Sequence, residues 1–456
     1  MEKRFEETIV GIATGVSKGA ISIVRLSGDD AIKIANSVFK GKNLEKQESH
    51  TVSYGHIVDY NTKEVIDEVL VSIFKAPRTY TKENVVEINC HGGIFVTNQI
   101  YENLLIAGAK SAEPGEFTKR AFLNGRIDLT KAEAVMDIID AENKNAVKLA
   151  NAGLSGKIAN TIRNLRQDVV NILAVISVNI DYPEYDDVEE LTNNELLPKL
   201  KEIKEYLEKL LENSKSAKYL KDGIDVSIIG KPNVGKSSLL NLLLGESRAI
   251  VTDIPGTTRD VIEAKVNINN ITLNLLDTAG IRNTSDIVEQ IGVEKAKESI
   301  NKADLVLMVI DISKEIDESD LSLYNMVSEK PHVLVANKSD LECVADLSLY
   351  NKEVVYISAL NSIGLEELEN KITSVIFGEK AQIKDATYIS NARQVAKLNE
   401  ALIALNVAIQ KCNEGEYVDI IDIYIREAYL SLGEIIGEGS IDSLIDELFS
   451  KFCLGK

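Results

Sequence analysis

Apolar and polar positions change their spacing several times along this chain, and each change marks a part. From Thr8 to about Glu116, short alternating runs predict strands: Ile21-Ser22-Ile23-Val24, Val52 to Val58, Val69 to Phe74 and Val85 to Ile88. Helical stretches around Asp29–Phe39 and Phe95–Ile106 lie between them, so this zone predicts an α+β module. From Leu129 the step becomes three or four. Ile158, Ile162, Leu165, Val169, Ile172 and Ile176 form one apolar helix stripe, which breaks at Asp181-Tyr182-Pro183-Glu184. A second helix buries Leu197, Leu200, Ile203, Leu207 and Leu210 beneath a Lys/Glu-rich solvated face. Between about Ser214 and Gly378, strands and helices alternate as in a doubly wound parallel sheet. After Ala381 the pattern is helical again, with Ser440 as N-cap of a last helix burying Ile441, Leu444, Ile445 and Leu448. Helical zones on both sides of an α/β zone predict an α/β domain inserted into a helical one.

At 456 residues the chain has room for several cores, and 45 % hydrophobic with 27 % charged positions is ordinary globular composition. Lys and Arg total 51 against 71 Asp and Glu, a net charge of −20, which argues against coating nucleic acid or anionic membrane by bulk charge. A local basic face for RNA stays open. Cys90, Cys343, Cys412 and Cys453 are scattered without a CxxC pair, which fits reduced thiols in a cytoplasm and gives no zinc site. No stretch has the length of a membrane span, and the first residues lack a secretory apolar run. A soluble, cytoplasmic protein is expected.

The chemistry concentrates in the α/β zone. Gly230-Lys231-Pro232-Asn233-Val234-Gly235-Lys236-Ser237 is a GxxxxGKS loop between an apolar strand and an apolar helix start, followed by Ser238. Backbone N–H groups of such a loop cradle phosphates, Lys236 reaches the β- and γ-phosphates, and Ser237 ligates Mg²⁺. Three more motifs in order narrow the nucleotide to GTP. Asp277-Thr278-Ala279-Gly280 ends a strand near the metal and the γ-phosphate. Asn337-Lys338-Ser339-Asp340 supplies a carboxylate that pairs with guanine and is left unpaired by adenine. Ser358-Ala359-Leu360 completes the base pocket. Thr257-Thr258-Arg259-Asp260, after Thr252 and within the run Asp253-Ile254-Pro255-Gly256-Thr257-Thr258-Arg259-Asp260, occupies the place of a switch loop, with Thr258 closing on Mg²⁺ and the γ-phosphate. The position after DTAG is Ile281, which cannot orient water as the Gln of Ras-like enzymes does. Arg259 and Arg282 are nearby candidates for a charge-stabilising arginine.

These motifs, with VVEINCHGG (Val85–Gly93), PGEFTKRAFLNGRIDLTKAEAV (Pro114–Val135), DTAGIR and the terminal FCLGK, resemble the bacterial and organellar tRNA-modification GTPase family MnmE/TrmE over essentially the whole length. The resemblance implies an N-terminal folate-binding and dimerising domain at 1–120, a helical domain split between 121–213 and 380–456, and an inserted Ras-like G domain at 214–379. It implies a homodimer that forms a heterotetramer with an FAD-dependent partner. Together they install an aminomethyl or carboxymethylaminomethyl group on the wobble uridine of certain tRNAs, with a tetrahydrofolate supplying one carbon. It also implies K⁺-stimulated hydrolysis, with Asn233 and carbonyls at Thr252, Ile254 and Thr257 as K⁺ ligands. Glu289 becomes the water-orienting acid, acting with Lys236 and Thr258, and Arg25, Glu87, Arg126 and Lys456 become the folate residues. An alternative is a ribosome-assembly GTPase switch, which leaves the PGEF and CLGK segments unexplained.

Overall fold

The computed structural model describes residues 7–181, 196–245, 262–276, 297–350, 352–378, 389–439, 442–452 and 455. Their strands are β1 (Ile9–Ile12), β2 (Ile21–Ser27), β3 (Phe39–Gly41), β4 (Thr51–Val58), β5 (Val65–Phe74), β6 (Val85–His91), β7 (Lys110–Ser111), β8 (Ile224–Ile229), β9 (Ile262–Ile268), β10 (Ile271–Leu276), β11 (Leu305–Asp311), β12 (His332–Asn337) and β13 (Val354–Tyr356). The helices are α1 (Ala31–Ser37), α2 (Ile94–Ile106), α3 (Glu116–Leu123), α4 (Leu129–Ile139), α5 (Lys144–Leu154), α6 (Lys157–Asp181), α7 (Leu197–Asp222), α8 (Lys236–Leu243), α9 (Glu318–Val327), α10 (Leu365–Phe377), α11 (Ala392–Glu414), α12 (Val418–Ile436) and α13 (Asp442–Ser450). They form two compact units, Met1–Met136 with Gly153–Leu200 and Glu400–Lys456, and Asp137–Ala152 with Lys201–Asn399. The class is multidomain, α/β in one unit and α+β with helices in the other.

In the first unit a sheet ordered β3-β4-β5-β6-β2-β1-β7 buries Val24, Leu26, Val71, Ile73, Val86 and Ile88 against Ile34 of α1 and Ile100 and Leu104 of α2. The alternation seen in the sequence is this inner face. One difference lies after α1, where the helical stretch stops at Ser37 and Phe39 enters β3, paired with Ile57 of β4. Burying Phe39 and bonding a strand edge outweighs one more helical turn. All six stripe residues of α6 are buried, and α6 packs on α12. On α13, Ile445 and Phe449 join Leu129 and Phe452 in a small core. Ser440 and Ile441 lie outside the described residues, as does the side chain of Leu444. Among those described, no helix is long and apolar enough to cross a membrane.

In the second unit the order is β13-β12-β11-β8-β10-β9, parallel except for β9. Every residue of β11 and β12 is buried, as expected of strands covered on both faces. β8 lies between β10 on one side and β11 on the other, and strand order reverses across it, so the loop after β8 sits at the switch point where α/β sheets bind ligands. Residues before α5 dock on the same sheet: Asn143 donates to Thr272 Oγ1 (3.0 Å) and to the Leu220 carbonyl (3.3 Å), and its Oδ1 accepts from Ala146 N (2.8 Å) at the helix start.

Candidate functional site

The phosphate loop follows from backbone geometry. Gly235, just before α8, has φ +99°, and a Cβ there would lie 2.1 Å from Asn337 Nδ2. A Cβ on Gly230 would meet the Val309 carbonyl at 2.4 Å. Both positions therefore require glycine. Val234 is buried and anchors the loop, whereas Asn233 is exposed at φ +63° with no hydrogen-bond partner among the described residues. Lys236 Nζ donates to the carbonyls of Gly230 (2.8 Å) and Lys231 (2.7 Å), and burial lowers its pKa below the ordinary lysine value. Ser237 and Ser238 follow in the first turn of α8. A hydroxyl such as Ser237's is the hard oxygen donor that Mg²⁺ accepts.

The base loop is tied to this phosphate loop through one side chain. Asn337 Nδ2 donates to the Val234 carbonyl (2.8 Å), while its Oδ1 accepts from Ala359 N (3.1 Å). Ser358 Oγ donates to Asp340 Oδ1 (2.6 Å), and Ser339 N donates to the Ile357 carbonyl (3.0 Å), so the ends of β12 and β13 hold the motif together. Leu360 is exposed. Lys338, at φ +67°, places its ammonium 2.5 Å from Asp311 Oδ2. Burial raises the Asp311 pKa, but hydrogen bonds from Lys338 and Ser313 outweigh it and hold the carboxyl below its usual range. Asp311 is absent from the sequence reading because no short motif contains it; its position at the end of a buried strand beside β12 was the available signal. Lys231 is likewise pinned by Asp317 and Asp320 of the α9 start. The expected residues Thr252, Asp253, Ile254, Pro255, Gly256, Thr257, Thr258, Asp277, Thr278, Ala279, Gly280 and Glu289 lie outside the described residues.

A second candidate site is a cleft of about 650 Å³ in the N-terminal sheet, lined by Arg25, Phe74, Tyr80, Lys82, Glu87 and Arg126 among others. Arg25 on β2 and Glu87 on β6 are register partners. Arg25 Nε and Nη2 both lie 2.9 Å from Glu87 Oε1, leaving Oε2 without a partner among the described residues. The Arg126 guanidinium stands 5.0 Å over the Tyr80 ring. Three of the four expected folate residues are thus in one cleft; Lys456 lies outside the described residues. Its neighbour Gly455 is described: its carbonyl accepts from Arg25 Nη1 (3.3 Å), and a Cβ there would lie 2.1 Å from the Ile12 carbonyl. An unpaired carboxylate oxygen, two guanidinium groups and aromatic rings suit a flat heterocycle with an anionic tail. Phe74 was read only as the end of a strand, and Tyr80 and Lys82 were not singled out in the sequence, since the turn between β5 and β6 that carries them is not periodic.

A family model described as "GTP-binding protein TrmE N-terminus" matches residues 8–126, and one described as "MnmE helical domain" matches 129–453. A relative from Ligilactobacillus salivarius (strain UCC118), named tRNA modification GTPase MnmE, is 50% identical over 455 residues, covering 99% of this chain and 98% of its own. Another of that name, from Streptococcus thermophilus (strain CNRZ 1066), is 51% identical over 451 residues, covering 99% and 98%. Among solved structures, an Aquifex aeolicus Era variant bound to GDP.AlF4⁻ is 32% identical over 40% of this chain and 66% of its own, with a TM-score of 0.26. With half of the positions identical over nearly the whole length of both chains, the chain belongs to the tRNA modification GTPase MnmE family.

Proposed function

We propose that this chain is a K⁺-stimulated GTP hydrolase of the cytoplasm that works on tRNA. With an FAD-dependent partner it installs (carboxymethyl)aminomethyl at carbon 5 of the wobble uridine, using a tetrahydrofolate one-carbon unit. It acts as a homodimer within a heterotetramer. The observation that carries the nucleotide half is Asn337, which joins the phosphate loop to the base loop in one hydrogen-bonded piece. Lys236 and Ser237 take phosphate and Mg²⁺ with Thr258, Asp340 and Ser358 take guanine, and Glu289 orients water. Asn233, exposed on the loop and without a hydrogen-bond partner among the described residues, supports a K⁺ ligand there, completed by carbonyls at Thr252, Ile254 and Thr257. A monovalent cation at that point stabilises the charge that develops on the phosphates, the work an arginine performs elsewhere. The cleft with Arg25, Glu87 and Arg126 supports the folate half, to which the family resemblance adds Lys456.

The test is GTP hydrolysis by the purified protein in matched KCl and NaCl. Hydrolysis in KCl is expected to exceed that in NaCl by roughly 10²-fold in kcat, the scale of one lost transition-state donor. Asn233→Ala should bring the KCl rate down to the NaCl rate. Equal rates in both salts would remove the cation and return Arg259 and Arg282 to the role.

A further inference from the structure

Beside the folate cleft lies a second one, of about 370 Å³, lined by Phe122, Arg126, Asp128, Lys131, Arg163 and Glu438 among others. Arg126 belongs to both. The turn that carries it is fixed from the first cleft, because Lys82 Nζ donates to the carbonyls of Asn124 (2.9 Å) and Gly125 (3.0 Å).

The charges of the second cleft do not cancel. Asp128 accepts from Thr130 Oγ1 (2.6 Å) and Lys131 N (3.1 Å) at the start of α4, and its other oxygen pairs with Arg163 at 3.1 Å. Glu438 is bound by Arg166, which stacks 4.1 Å over the Tyr429 ring. Both acids are therefore matched by cations of their own. Two cations remain without a carboxylate among the described residues: Arg126, held only over Tyr80, and Lys131. In a chain of net charge −20, a cleft with two unmatched cations is a locally anionophilic place.

We infer that this cleft receives the γ-linked glutamyl tail of a folate polyglutamate whose head occupies the first cleft. This rests on the folate reading of that first cleft. A folate's glutamate carries carboxylates at the end away from its ring, and every γ-linked residue adds one more. A tail whose first carboxylate meets Arg126 continues past it to Lys131. A single inorganic anion gains only one of these contacts, whereas the tethered chain gains them in series at high effective concentration.

Calorimetric titration of the full-length protein with tetrahydrofolate monoglutamate and tri-γ-glutamate tests this. The triglutamate should bind about tenfold tighter, the scale of one charge-assisted hydrogen bond, and the difference should shrink as salt rises. Lys131→Ala, a change at a partly exposed helix position, should remove the gain while monoglutamate binding stays within about twofold. Equal affinity of the two forms for the wild type overturns the subsite and leaves the folate reading standing. Failure of both forms to bind overturns the folate reading and the subsite with it. If Lys131→Ala weakens tRNA binding and leaves the triglutamate gain intact, the cleft is an RNA-phosphate site and the inference is wrong.

Discussion

Lys236 sits against two backbone carbonyls with no carboxylate partner among the described residues, and burial depresses its pKa. Carbonyl dipoles repay only part of the hydration an ammonium loses. The folded-state value lies below the unfolded one, so the unfolded chain holds more protons between them. Across that alkaline window the group's contribution to stability rises with pH, and below it the buried charge is a standing cost. Nucleotide phosphates reverse the sign by favouring the charged form. Binding of a non-hydrolysable GTP analogue at alkaline pH should therefore take up a fraction of a proton. Calorimetry in buffers of different ionisation enthalpy measures it, and zero uptake would mean that the ammonium does not meet the phosphates. Asn337 shows what a motif conceals at this scale. Its type and place are plain in Asn337-Lys338-Ser339-Asp340, but its partners Val234 and Ala359 are 103 and 22 residues away, and no local pattern names them.

Elements were legible where a period ran long enough. The six-residue stripe of α6 and the apolar runs of β8, β11 and β12 carry their burial in their spacing. β1, β3 and β7, of four, three and two residues, are too short for a period and exist because neighbours bond them. Arg120 on α3 was unreadable for a related reason: four residues after Glu116, it looks like an exposed helix pair. Instead it is 2% exposed, bonded to Glu116 Oε1 (2.7 Å), Glu83 Oε2 (3.2 Å) and the Glu7 carbonyl (2.9 Å). Glu83 also accepts from Ser27 Oγ (2.6 Å), so one guanidinium fastens α3 to the turn that walls the proposed folate cleft. Arg120→Met should cost about 3–5 kcal/mol in urea unfolding, since it strands two largely buried carboxylates. Adding Glu83→Gln and Glu116→Gln should recover a good part of that, because the stranded charges are then gone. A loss below about 1 kcal/mol for the single variant, the range of a surface pair, would show that the network carries no such role.

For the whole molecule, 71 acidic against 51 basic residues set the terms on which RNA approaches. A net charge of −20 repels a polyanion at distances where screening is incomplete, and only short-range cations such as those of the N-terminal cleft oppose it. Proteins that bind nucleic acid through six to ten phosphates lose roughly 10³–10⁵ in affinity between 50 and 200 mM salt. This chain alone should bind tRNA weakly and lose less than about tenfold over that interval, because it has few phosphates to neutralise. Screening also weakens the repulsion, so association at the lowest salt should quicken, not slow, as salt is first added. The FAD-dependent partner of the proposed heterotetramer would then supply the missing phosphate contacts, and its addition should both tighten binding and steepen the salt slope. Fluorescence anisotropy of labelled tRNA, with and without the partner, reads both quantities. Tight and steeply salt-dependent binding by the chain alone would place the RNA surface on this protein, and the acidic bulk of the molecule would no longer explain the need for a partner.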